Sequence, residues 1–276
     1  MLGFGKKKQN KIPQGFEVPS FPNTVLGLLS KLRDPDVSVN ELAHDLEVDP
    51  GLHVRVLKTV NSAAFGLSHK VSNITHAVNL LGRGRLEALV LSVATKDTLS
   101  GNNNAPWLNM KLFWATAARR AAIARGLAAE LHPQLQSDVF TVGLLEDMGV
   151  PILANREGDR YRDLYLNWQD DESIDLIAEE KLHCGIDHAT LGAQVAQEWG
   201  FPDALCDAIG RHHLLDDVEL PLSIKLTSLV KGASDGDDSR QLAAKAEELL
   251  GLDSSLTLEL IENVLQESQE LAAALS

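Results

Sequence analysis

Val142-Gly143-Leu144-Leu145-Glu146-Asp147-Met148-Gly149 places two adjacent carboxylates at the end of an apolar run that closes on glycine. The pattern predicts an apolar helix, on which neighbouring side chains point about 100° apart. Glu146 and Asp147 therefore do not both face one ion without help. Whether this pair serves chemistry or packing decides whether the chain is a catalyst or a module that binds.

Outward from that segment the helical signal continues in both directions. Val25, Leu28, Leu29 and Leu32 recur at helical spacing, as do Ile74, Ala77, Val78 and Leu81, then Leu86, Leu89, Val90 and Val93; strand-like alternation is absent. Boundaries are marked as helices mark them. Ser38 with Glu41 forms a capping box, Asp49-Pro50 is a cap followed by proline in the first turn, and Gly82 closes the helix before it. Asp187 opens a helix that Gly200 ends, and Pro202 starts the next. Loops are expected at 100–106 and 231–240. A final amphipathic helix carries Leu258, Ile261, Val264, Leu265, Ala272 and Leu275 on one face, to pack on its own domain or on a partner helix. The expected fold class is all-α, a compact body with a smaller N-terminal lobe and no internal repeat.

Composition narrows the partners. The 276 residues are 44% hydrophobic but 5% aromatic, the profile of a Leu/Ala/Val/Ile helical core. With Asp+Glu 39 against Lys+Arg 25, the net charge of -14 repels a phosphate backbone, so protein or small-ligand partners are favoured over nucleic acid. Cys184 and Cys206 are too few for a zinc knuckle or a disulfide framework and read as buried thiols of a reducing compartment. Lys6, Lys7, Lys8 and Lys11 form a basic start without the apolar run of a signal peptide. No later segment approaches the roughly 18 apolar residues of a membrane span. A cytoplasmic location is expected, with a solvated tail over 1–17.

Several separate motifs then occur in a fixed order. They are Pro19-Ser20-Phe21-Pro22, Asp49-Pro50-Gly51-Leu52, the run from Val56 through Asn61-Ser62 to Gly66, and Ala77 to Gly82. Phe113-Trp114, Leu144 to Gly149, Asp187 to Gly192, Trp199 to Pro202 and Arg211-His212-His213 follow. Over residues 18 to about 232 this series resembles the HD-related output domain, a bacterial signalling family, with Asp49, Pro50, Asn61, Ser62 and Gly82 as its signature positions. The resemblance implies an HD-phosphohydrolase-like fold, an N-terminal lobe over about 18–100, an HD-like lobe over about 101–232, and a helical extension over 233–276 packed on the domain.

The resemblance also implies a site and its erosion. Metal-dependent relatives place a histidine where this chain has Thr116, a His-Asp pair where it has Glu146-Asp147, and a terminal aspartate at the position of Ser228; His188, His212 and His213 match positions the family keeps. Hydroxyls are poor ligands unless ionised, and activating water takes several converging donors with an open position. Catalysis is therefore disfavoured and no cofactor is assigned, although Asp147, His188, His212 and His213 can hold a divalent ion if they converge. Without one, nearby carboxylates should raise the imidazole pKa values. Each histidine alone also has a plain role near a helix end, and Asn61 and Ser62 most simply tie down a helix terminus. Gly82-Arg83-Gly84-Arg85 lacks the strand and third glycine of a phosphate loop.

The preferred function is a non-catalytic signal-transduction output or scaffold module that binds a protein or a small signalling ligand, with homo-oligomerisation open. With about 18 residues ahead of the matching stretch, input is expected from a separate molecule. The alternative is a metal-dependent phosphohydrolase acting on a nucleotide or cyclic dinucleotide.

Overall fold

The computed structural model describes residues 12–62, 67, 70–171, 173–233 and 237–275, and every regular element among them is helical. Lys6, Lys7, Lys8, Lys11 and signature residues 63–66 lie outside the described residues. The first lobe is built from α1 (Asn23–Arg33), α2 (Val39–Val48), α3 (Pro50–Val60) and the long α4 (Ile74–Gly101). The starts of α2, α3 and α4 are set by side chains that take up otherwise orphaned backbone N–H groups: Ser38 accepts from Glu41, Asp49 from Leu52 and Asn73 from His76. Val25, Leu28, Leu29 and Leu32 of α1 meet Leu42 and Leu46 of α2 and Val56 and Val60 of α3 in one core. Leu57 is half-buried at the edge of that core.

Asn61 does more than end α3. Its amide donates to the carbonyls of Leu57 and Val71, both at 2.8 Å, and its oxygen accepts the Val71 N–H at 2.7 Å. It thus latches the α3 end to the segment that leads into α4, while Ser62 donates to the Thr59 carbonyl at 2.7 Å. Gly82, with φ 74 and ψ 168, breaks α4 into two segments. That conformation is close to glycine-only, so the sequence signal and the kink have the same cause.

The second segment of α4 enters the larger lobe through Leu86, Leu89, Val90 and Val93, all buried. At its centre α5 (Met110–Leu131), with Ala117, Ala118, Ala121 and Ala124 buried, packs along α6 (Gln136–Leu145), where a Cβ at Gly143 would lie 3.0 Å from the Arg120 backbone. Small side chains let the two helices approach closely. Around them run α7 (Val150–Glu157), α8 (Asp159–Asp170), α9 (Leu176–Cys184), α10 (His188–Glu198), α11 (Asp203–Arg211) and α12 (Leu222–Thr227).

Beyond α12, α13 (Asp237–Leu250) and α14 (Ser254–Asn263) close a second apolar cluster of Leu242, Ala246 and Ile261 with Ile123 of α5 and Leu226 of α12. The single closing helix of the sequence analysis is two helices. The chain leaves helical geometry at Val264 (φ -92, ψ 1), and α15 (Leu265–Leu275) turns back along α5 and α3. One stripe at helical spacing does not reveal a break that preserves it. A second correction falls on the tail: Ile12 and Phe16 pack against the core, and the Arg156 guanidinium sits 3.9 Å from the Phe16 ring centre. Cys184 and Cys206 are buried and unpaired. No helix among the described residues is long and apolar enough to cross a membrane.

Candidate functional site

The chain turns sharply after α6. Glu146 N–H donates to Val142, Met148 to Leu145 and Val150 to Asp147, so two tight turns separate α6 from α7, with Pro151 in the first turn of the next helix. These turns, rather than a continuing helix, set where Glu146 and Asp147 point. Gly149 then touches the start of α10. A Cβ there would lie 2.1 Å from the His188 carbonyl oxygen, so only glycine lets α10 bring His188 alongside Asp147.

His188 opens α10 behind an Asp187 cap that accepts from Thr190 N–H at 2.7 Å. Its ring is held from behind: Glu180 Oε2 on α9 lies 2.8 Å from both His188 Nδ1 and the His188 backbone N–H, and Tyr161 on α8 donates to Glu180 Oε1 at 2.5 Å. His212 Nδ1 donates to the Ile209 carbonyl at 2.7 Å. With both Nδ1 atoms committed, the Nε2 atoms of His188 and His212 face Asp147 Oδ1 at 3.4 and 3.3 Å. Half-buried His213 brings its Nε2 to 3.1 Å from His188 Nε2.

On the other side of Asp147 stands Arg120, on α5 one turn beyond Thr116. Its guanidinium donates to Asp147 Oδ2 and to the Val230 carbonyl, and its Nε is 3.4 Å from Glu146 Oε1. Glu146 Oε2 lies 2.9 Å from Thr227 Oγ1, which also lies 2.8 Å from the Ile224 carbonyl. One hydroxyl proton serves both oxygens only as a shared, weaker bond. A protonated Glu146 resolves this by donating to Thr227 while Thr227 donates to Ile224.

The electrostatics agree. Burial pushes the Glu146 carboxyl up to about 8, outweighing Arg120. Burial also works against a charge on Asp147, but Arg120 with His188 and His212 holds it well below the usual carboxylate range. His188 is pushed up to about 10, because Glu180 and Asp147 outweigh its desolvation. The expected rise of all three imidazoles holds there alone. Burial keeps His212 below its ordinary value, and burial together with the neighbouring His212 and His188 keeps His213 well below it.

The structure thus brings together Asp147, His188, His212 and His213, whose ligand atoms all lie within 4.8 Å of one another. It does not bring in the other expected positions. Thr116 donates to the Leu112 carbonyl of its own helix and Ser228 to that of Lys225; Thr227, one residue earlier, is the α12 group that reaches the pair. Glu146 faces Arg120 and Thr227 instead of the histidines. Arg120, Glu180, Tyr161 and Thr227 were missed. Arg119-Arg120 inside an alanine-rich helix was the available signal, because a buried arginine needs partners; Tyr161 and Glu180 gave none.

One carboxylate and three imidazoles suit a single divalent ion, and outer acceptors on His188 and His212 already orient two of the rings as in metal sites. The donors fit one ion held by Asp147, His188, His212 and His213. Such an ion supplies Lewis acidity when bound. Arg120 remains on the far oxygen of Asp147, and His188 must lose a proton to ligate.

An all-helical body with acid and imidazole groups converging where α6, α10 and α11 meet defines an HD-like helical domain. The chain belongs to the HDOD family, whose domain model matches residues 18–215. A solved structure from Shewanella amazonensis, named as a candidate phosphohydrolase, is 25% identical and superposes with a TM-score of 0.74 over 94% of this chain and 95% of that one. An HDOD domain protein of unknown function from Geobacter sulfurreducens is also 25% identical, with a TM-score of 0.67 over 94% and 92% of the two chains. An uncharacterized protein of Treponema pallidum is 28% identical over 200 residues, 72% of this chain; the match spans 38% of that relative's length.

Proposed function

We propose that this chain is a non-catalytic signal-transduction module, an output or scaffold domain that binds a protein partner or a small regulatory ligand. The observation that carries this is Arg120. A guanidinium from α5 neutralises Asp147 and faces Glu146, so the protein itself supplies a cation beside the carboxylates. Thr116 and Ser228, the positions expected to complete a water-activating site, spend their hydroxyls on their own helices. The cluster then acts as a polar bolt joining α5, α6, α10 and α11.

A second reading, a metal-dependent phosphohydrolase acting on a nucleotide or cyclic dinucleotide, rests on the four converging donors. One experiment separates the two. Protein purified without chelator is assayed on a cyclic dinucleotide and on a generic phosphodiester with Mn²⁺ present. No turnover above a buffer control is expected. Turnover that disappears in Asp147→Ala replaces the first reading with the second.

A further inference from the structure

Between the lobes, the kinked α4, the first turns of α6 and the start of α11 enclose a cavity of about 480 Å³, a volume suited to a small organic ligand. Its wall is aliphatic, from Leu81, Leu91, Val142 and Leu205, all buried. The space exists because Gly84 and Ala88, one turn apart on α4, lie along it opposite Ala204 of α11. A Cβ added at Gly84 would meet nothing within 4 Å.

The charges on this cavity are unequal in their commitments. Glu87 is held by Arg33 at 2.6 Å. Arg85 lines the same wall, is exposed, and makes no hydrogen bond or ion pair with another described residue. An uncommitted guanidinium beside an aliphatic cavity matches a ligand with an apolar body and an anionic end. Glu87 and Asp138 also line the cavity, and the chain carries a net charge of -14, so a dianion such as a phosphate monoester is repelled more than a single charge.

We infer that this inter-lobe cavity binds a small amphipathic monocarboxylate, its apolar body between α4, α6 and α11 and its carboxylate on Arg85. The site is separate from the Asp147 cluster and does not depend on whether that cluster holds an ion. It is mechanically close to it. Val142 lines the cavity, and its carbonyl accepts the Glu146 N–H at 2.7 Å, so a ligand seated here presses on the helix that ends at Glu146-Asp147.

Decanoate, 1-decanol and decyl phosphate, titrated calorimetrically into the full chain below their aggregation limits, test this. Decanoate should bind at one saturable site, and decyl phosphate more weakly at a pH where it is a dianion. Arg85→Gln should weaken decanoate about tenfold, the loss of one charge-assisted contact, and leave decanol unchanged. Ala88→Trp should fill the cavity and abolish both; if that variant does not fold, Gly84→Leu fills it from an exposed helical position. Absence of saturable decanoate binding to the wild type, or binding indifferent to both Arg85→Gln and the filling variant, overturns the proposal. Equal weakening of decanol and decanoate by Arg85→Gln overturns the placement of the carboxylate, and decyl phosphate binding as tightly as decanoate overturns the single-charge specificity.

Discussion

At the level of single residues, Arg120 determines what the remnant cluster is. It is 4% exposed and its partners are two carboxylates and a carbonyl, an arrangement that is costly to break from one side because the buried Asp147 carboxylate loses its guanidinium partner and keeps only the imidazoles. Arg120→Met should therefore lower the unfolding free energy by about 3 to 5 kcal/mol in metal-free buffer. Mn²⁺ should restore part of that loss, since Asp147 then gains a replacement cation among donors that already converge. Urea denaturation with and without Mn²⁺ measures both effects. A loss under about 1 kcal/mol would show that Asp147 does not depend on Arg120 for its charge. Adjacency in sequence was a poor guide here. Glu146 and Asp147 sit side by side but do opposite things, one neutral against Thr227 and the other ionised against the histidines, because the turn after α6 aims them into different surroundings.

At the level of elements, α4 shows how far local signals reach. Gly82 is the helix stop that the sequence indicates, yet the chain resumes at once as a second helical segment beyond the kink. Two glycines two residues apart then make a clean contrast. Gly82→Ala forces a side chain into a glycine-only conformation and should cost about 1 to 3 kcal/mol. Gly84→Ala, in helical geometry with open space around the new Cβ, should be neutral or stabilise by up to about 1 kcal/mol. Thermal and urea unfolding of the two variants checks the pair, and equal losses would place the kink elsewhere. The α14 and α15 boundary was illegible for the reason opposite to Gly82: Val264 carries no breaking signal, and its turn is imposed by α15 docking on α5 and α3, where Lys58 donates to the Ala273 carbonyl at 2.6 Å.

For the whole molecule, the cluster makes stability depend on pH from both sides. His188 is raised from 6.5 to about 10, so its contribution is complete below about 6.5 and is lost as pH rises through 10. Glu146, raised from 4.5 to about 8, has the same sign, because the unfolded chain releases that proton first. His212 and His213 are lowered, so their contribution is present above about 6.5 and falls away in acid. Metal-free protein should thus be most stable near neutrality and lose stability steadily from about pH 7 to 10. Glu146→Gln should flatten the part of that decline below about pH 8, and Asp147→Asn should move the remainder to lower pH by lowering the His188 pKa. Melting temperatures across this range test it, and a wild-type profile matching both variants would mean the groups do not titrate as one site.

By itself the sequence determined what depends on periodicity and short-range chemistry. Helical class, the caps at Ser38, Asp49 and Asp187, the stop at Gly82 and the tie at Asn61 all follow from interactions within a few residues, and the ordered motifs placed the chain in its family. Tertiary structure alone decided which side chains meet. Arg120, Asp147, Glu180, His188 and Thr227 come from five different segments. Their partners, charge states and protons are set by distances across helices and by burial, quantities that no local pattern encodes. The inter-lobe cavity has the same origin, since small residues on α4 and α11 are unremarkable until packing leaves them opposite one another beside an uncommitted arginine.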